Sequence, residues 1–230
     1  MADSSNDLPA FQKWSLRALT ELFPAVCGVA CEMERRPAPP LPEAEAAVVK
    51  TAAEARKISF AAGRAAARRA LEKFGFRDPI IPAGADRAPV WPPGTIGSIS
   101  HAGGLAVAVA ARLEDLAAIG VDLERTAAVS RELWPNLMVA GETRFLNSLP
   151  EAEQSRFATA IFCIKEAFYK YQYPHARQWL DFREVEVELG VKAEEWKLTT
   201  QQPIIIGGKA VGALYGRYRI GNAFTLAAAC

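Results

Sequence analysis

Between residues 151 and 173 the side chains of Phe157, Ile161, Ile164, Phe168 and Tyr171 recur at alternating spacings of four and three. This is the period of a helix with a single apolar stripe, and such a helix holds its place only by packing that stripe into a core. Four runs with strand character follow it, near 183–189, 194–200, 211–219 and 222–229. The part of the chain before it repeats the theme. Residues 9–23 have apolar positions at helical spacing, and 25–33 resemble a short buried strand. Pro37, Pro39, Pro40 and Pro42 then interrupt, after which an Ala-rich region of about thirty residues reads as helix, ending near Gly75. The Pro- and Gly-dense segment 79–97 is loop. Residues 98–100 and 105–113 look like strands joined around His101 to Gly104, 117–126 is a further strand, and 126–149 is loop-rich. An α+β fold follows, made of two similar halves, 1–125 and 126–230, forming a pseudo-twofold pair in one compact unit. No sequence repeat accompanies it.

At 230 residues the chain can bury a substantial core. Its 27 basic and 26 acidic side chains leave a net charge of +1, so no global field exists to hold nucleic acid or an anionic membrane. Any anion must be met locally. The start, MADSSNDLPAFQKW, lacks the basic segment, apolar core and small-residue cleavage site of a secretory signal, which sets the expectation of a cytoplasmic protein. The apolar run 102–111 falls far short of the roughly 20 residues of a spanning helix, so no membrane span is expected. Cys27, Cys31, Cys163 and Cys230 have no zinc-site spacing and read as buried or free thiols, although one bridge is not excluded.

Three local signals bear on chemistry. In the strand AAIGVDLERT, residues 117–126, alternation sends Ile119, Val121 and Leu123 to one face and Ala118, Gly120, Asp122 and Glu124 to the other. The small residues leave a hollow beside the two acids where a ligand or ion can approach the backbone. Helix 151–173 carries Glu166 four residues before Lys170, with Lys165 adjacent; alone, such a pair is a surface ion pair. His101 stands at a strand end before two glycines, which suits either a structural role or close approach to a bound group, whereas His175 has no such setting and reads as structural. Three carboxylates with neighbouring lysines suit Mg2+ and phosphate oxygens better than zinc. No Walker pattern and no G-x-G-x-x-G after a strand is present, so side chains must hold the anion. Residues 50–78 are the most basic part, with eight Lys or Arg against three acids, which by itself describes a solvated helix face.

Together these residues resemble the 4'-phosphopantetheinyl transferases of the larger, monomeric type. GVDLE at 120–124 is similar to the family's G-I/V-D-x-E, FCIKEAFYK at 162–170 to its W/F-x-x-K-E-A-x-x-K, and SISH at 98–101 to its S-x-S/T-H element. EARKISFAAGRAAARRAL and GADRAPVWP upstream also resemble the family, in particular the branch serving siderophore, nonribosomal-peptide and polyketide systems. The likeness spans residues 50–185.

The resemblance implies an active site at the interface of the halves, with the first binding coenzyme A and metal and the second supplying the catalytic helix 151–173. Asp122, Glu124 and Glu166 would hold Mg2+, with Mn2+ as the alternative ion, at the coenzyme A diphosphate. Lys165 and Lys170 would contact phosphate or its developing charge. Arg56, Arg64, Arg87, Ser100 and His101 would grip the nucleotide end, which gives the basic helix a binding role. A serine hydroxyl of an apo acyl or peptidyl carrier protein would attack the phosphorus bearing the pantetheine arm and release 3',5'-ADP. Glu166, directly or through a water, is the candidate base, and Lys170 stabilises the leaving oxygen. The carrier is expected to dock near 126–149, involving Arg131, Trp134 and Met138, unless Trp134 and Met138 simply pack. The alternatives are a Mg2+-dependent nucleotide phosphodiesterase or pyrophosphatase, and a non-catalytic coenzyme A-binding protein.

Overall fold

The computed structural model describes residues 7–230; the expectation drawn from the N-terminal stretch rests in part on residues 1–6, outside the described residues. The chain divides into two units, Met1–Ile119 and Gly120–Cys230. Each is α+β, with a helix packed on an antiparallel sheet.

In the first unit α1 (Leu8–Leu22) leads to β1 (Gly28–Met33), a short α2 (Glu43–Ala46), α3 (Glu54–Leu71), β2 (Thr95–Ala102) and β3 (Leu105–Arg112). The sheet order is β1-β3-β2. The central strand β3 has no polar residue before Arg112 because both its faces are covered; Leu105 to Ala111 are all fully buried. Alanines are what let α3 come close: Ala66, Ala67 and Ala70 pack on Ala30, Ala108 and Ala110. Gly103 and Gly104, at φ 56° and 89°, supply the positive dihedrals of the tight turn joining β2 to β3. His101 therefore lies within β2 and not in the turn.

The second unit starts with β4 (Gly120–Arg125), followed by α4 (Trp134–Leu137), α5 (Ala140–Ser148), the 26-residue α6 (Glu151–Ala176) and strands β5 (Val185–Gly190), β6 (Glu195–Ile206), β7 (Lys209–Ile220) and β8 (Phe224–Ala229). The sheet runs β4-β8-β7-β6-β5, with α6 across it. The apolar stripe of α6 provides the core: Ile161 and Ile164 are fully buried and Phe168 nearly so, each contributing about 1.5–3 kcal/mol.

Three expectations need correction. The region 43–75 is not one helix: Ala53 is extended, with φ −59° and ψ 153°, and separates α2 from α3. The cause is tertiary, since Glu45 of α2 is completely buried and accepts from the Ile81 amide and the Arg68 guanidinium, docking the short helix on its own. The carboxylate strand does not close the first half at 125. It pairs with β8, so the division falls at 119/120. The segment 126–149 contains α5, and α6 runs on to Ala176, where Arg177 ends it in the left-handed conformation.

Candidate active site

Asp122 sits in β4, opposite Ala227, with 3 % exposure, and Glu124 two residues on shares its face. Glu166 and Lys170 lie one turn apart on α6, which packs against β4. The Lys170 ammonium donates to Asp122 Oδ1 at 2.6 Å. Burial works against its charge, but Asp122 and Glu166 prevail and hold it above the ordinary lysine range. Burial, then Asp122 and Glu166, push the Glu124 carboxyl up to about 7, with Lys170 opposing. Glu166 is likewise raised by burial and by Asp122, against Lys170. The four side chains thus share one electrostatic field in which three carboxylates face a single ammonium. Cys163, one turn before Glu166, lies under them; burial and then Asp122 keep its thiol protonated. None of the four cysteines forms a disulfide.

The space beside Gly120 is filled by α6. A Cβ at Gly120 would overlap the Ala167 carbonyl oxygen and come within 2.9 Å of the Tyr171 nitrogen. The missing side chain serves helix packing, and both faces of β4 are buried, Val121 and Leu123 completely.

Lys165 departs from expectation. It is 2 % exposed, and its ammonium donates to Leu137 O at 2.8 Å, Glu142 Oε2 at 2.7 Å and Phe182 O at 2.8 Å. An ammonium has three donors, and all are spent on the protein, which corrects its assignment as a phosphate contact. Burial draws Lys165 down and Glu142 up from their ordinary ranges, and their attraction opposes it. Glu142 was missed from the sequence. Lys165, four residues after Ile161 and three before Phe168, lies on the core stripe; that position was the available sign that it needs a buried partner. Trp134 and Met138 are buried, at 4 % and 5 % exposure, so they pack and do not form a docking face. Arg131 stacks over the Trp134 ring at 5.1 Å.

In the first unit, Arg56 and Arg64 of α3 bracket the Phe60 ring, with guanidinium carbons 6.0 and 4.4 Å from its centroid. Arg56 Nη1 lies 2.8 Å from His101 Nε2. Arg64 is 4 % exposed, its Nε lacks a hydrogen-bond partner, and burial lowers its pKa to about 10, with Glu45 opposing and Arg68 and Arg56 adding to the effect. A guanidinium that is still charged at neutral pH and has a buried donor unfilled is built to receive an anion. Ser100, one residue before His101, alternates to the opposite face of β2 and is buried. Arg87 is exposed at a positive-φ position, 66°, in the loop between α3 and β2. His175 is exposed in the last turn of α6.

Among the described residues no three His, Cys, Asp or Glu side chains are gathered closely enough to form a metal-binding group. The donor set nevertheless fits Mg2+. It is all oxygen, burial and then the neighbouring carboxylates hold Glu124 at about 7, and Mg2+ takes one or two carboxylates together with water and phosphate oxygens in place of a full protein cage. Among the described residues no helix is long and apolar enough to cross a membrane.

Comparison with known proteins agrees with this division of parts. A family described as 4'-phosphopantetheinyl transferase N-terminal domain matches residues 44–111, and one described as the 4'-phosphopantetheinyl transferase superfamily matches 118–212. The 4'-phosphopantetheinyl transferase Svp of Streptomyces mobaraensis is 31 % identical over 191 residues, covering 80 % of this chain and 76 % of that protein. The corresponding transferase Npt of Nocardia iowensis is 28 % identical over 194 residues, 80 % of this chain and 86 % of its own. Enterobactin synthase component D of Escherichia coli K12 is 38 % identical over 127 residues, 54 % and 58 % of the two chains.

Proposed function

The chain belongs to the 4'-phosphopantetheinyl transferase superfamily, and on that premise we propose that it transfers the 4'-phosphopantetheine arm of coenzyme A to a serine of an apo acyl or peptidyl carrier protein, releasing 3',5'-ADP. The observation that supports this most is the single field shared by Asp122, Glu124, Glu166 and Lys170. In this reading Arg56, Arg64 and His101 take phosphate groups at the nucleotide end, where Arg64 offers its unfilled donor. Asp122, Glu124 and Glu166 hold Mg2+, which when bound offsets charge on the diphosphate. Glu166 accepts the proton of the attacking serine, since a hydroxyl does not ionise unaided at neutral pH. Lys170, fixed by Asp122, places its positive charge where the leaving phosphate oxygen develops negative charge. The enzyme acts as a monomer in the cytoplasm.

The direct test is mass spectrometry of a panel of apo carriers incubated with the protein, coenzyme A and Mg2+. A gain of the pantetheine arm on serine is expected, with 3',5'-ADP in equal amount. Release of 3',5'-ADP without acceptor, or no gain on any carrier, defeats the assignment.

The role of Arg64 can be separated from its packing. Replacement by Met removes a buried cation whose folded-state pKa lies below its ordinary value of 12.5, so the charge weakens the fold at all pH values below about 10. Arg64→Met is expected to melt no lower than wild type while raising KM for coenzyme A about tenfold or more, as loss of a charge-assisted phosphate contact implies. Thermal melting and initial rates check both.

A further inference from the structure

We propose that Lys165 is a positioning residue: its buried pair with Glu142 fixes the rotation of α6 about its axis and so sets where Glu166 and Lys170 stand against Asp122 and Glu124. The inference rests on the transferase assignment of those four side chains, but not on any contact between Lys165 and coenzyme A. Consecutive helical residues point about 100° apart, so Lys165 leaves α6 on a different side from Glu166. Its three donors reach Leu137 at the end of α4, Glu142 in α5 and Phe182 before β5. Glu142 in turn accepts the amides of Val139 at 2.9 Å and Val187 at 2.8 Å. One buried pair therefore ties α6 to four neighbouring segments.

Ala167, two residues on and about 200° around the helix, is backed by Gly120 of β4, where no Cβ fits. A helix held on opposite sides cannot roll. Glu166 lies between the two holds, and Lys170, about one turn later, shares its face. A roll of roughly 20° would carry a side-chain tip about 2 Å sideways, and misplacement of about 1 Å suffices to lower a rate about a hundredfold. Lys165 thereby affects the chemistry without touching the substrate.

The test uses the full chain with coenzyme A and an apo carrier, comparing wild type with Lys165→Gln, Lys165→Arg and the double variant Lys165→Gln/Glu142→Gln. Lys165→Gln is expected to lower kcat about a hundredfold and leave KM for coenzyme A within about twofold. Lys165→Arg keeps the charge and its donors, and the double variant replaces the ion pair with a neutral amide pair; each is expected to regain about tenfold or more of the lost kcat. Hydrogen exchange of the backbone amides from Ile164 to Tyr171 should quicken in Lys165→Gln and slow again in the double variant. If Lys165→Gln does not fold, the other two variants are measured against wild type by the same readouts, with kcat and exchange both near wild type expected. A tenfold or greater rise in KM for coenzyme A with kcat intact, or exchange that does not differ between wild type and Lys165→Gln, overturns the proposal. Failure of the wild type to modify any carrier overturns the transferase assignment instead, and the exchange data still decide whether Lys165 holds the helix.

Discussion

Glu166→Gln lowers arm transfer about a thousandfold, within the span of roughly a hundred- to ten-thousandfold that a positioned base contributes, and the variant melts no lower than wild type in metal-free buffer. The two outcomes have one cause. Glu166 is raised from its ordinary pKa by burial and by Asp122, against the attraction of Lys170. An acid whose folded pKa is raised favours the folded state only when protonated, so at neutral pH its charge weakens the fold. Gln has the same shape, removes the repulsion and cannot accept a proton. The residue is therefore retained at a cost to stability, as expected of a group kept for chemistry. Melting curves with steady-state transfer rates decide it: near-normal transfer by the variant removes Glu166 from the mechanism, and a strongly lowered melting temperature makes it structural. Lys170 contacts Asp122 and not Glu166, so the loss reports on Glu166 itself, as base and as metal ligand together.

What the sequence revealed and what it concealed divide along the range of the interactions involved. The stripe from Phe157 to Tyr171 announced α6 because helical period is local, and the core side chains Ile161, Ile164 and Phe168 followed from it. Asp122 and Glu124 were assigned to one face because strand alternation is local too, and Glu166 with Lys170 because one helical turn is. The pairing of β4 was hidden, since its partner β8 lies about a hundred residues away and nothing in GVDLE names it. So was the break before α3: an Ala-rich run favours helix throughout, and only the buried Glu45, reaching Ile81 and Arg68, interrupts it. Lys165 shows the same limit within a motif. Its neighbour Glu166 turns toward the acids, while Lys165 turns into the core to meet Glu142, 23 residues earlier in the chain. Ser100 and His101 are likewise adjacent in SISH but lie on opposite faces of β2.

Gly120→Ala is expected to destabilise the protein by about 3 kcal/mol, the upper end of overpacking costs, and to lower the melting temperature by roughly 10 °C, with transfer falling further than stability does. The added methyl would meet the Ala167 carbonyl oxygen and carbon and the Tyr171 nitrogen, all main-chain atoms of α6. No side chain can rotate to make room. Either β4 leaves its ladder with β8, which spans Gly120↔Ala229 to Arg125↔Phe224, or α6 lifts from the sheet and loses the burial of Ile161 and Ile164. Both routes reach the site. Asp122 lies two residues along the same face of the strand as Gly120, so the displacement that relieves the clash also separates Asp122 from Lys170, now 2.6 Å apart. Gly212→Ala is the control, because a Cβ there meets nothing within 4 Å and should change stability by no more than about 0.5 kcal/mol. If Gly120→Ala melts and transfers like Gly212→Ala, then α6 is not held against β4, and the alignment of Glu166 and Lys170 with the strand carboxylates must come from something other than this close approach of helix to sheet.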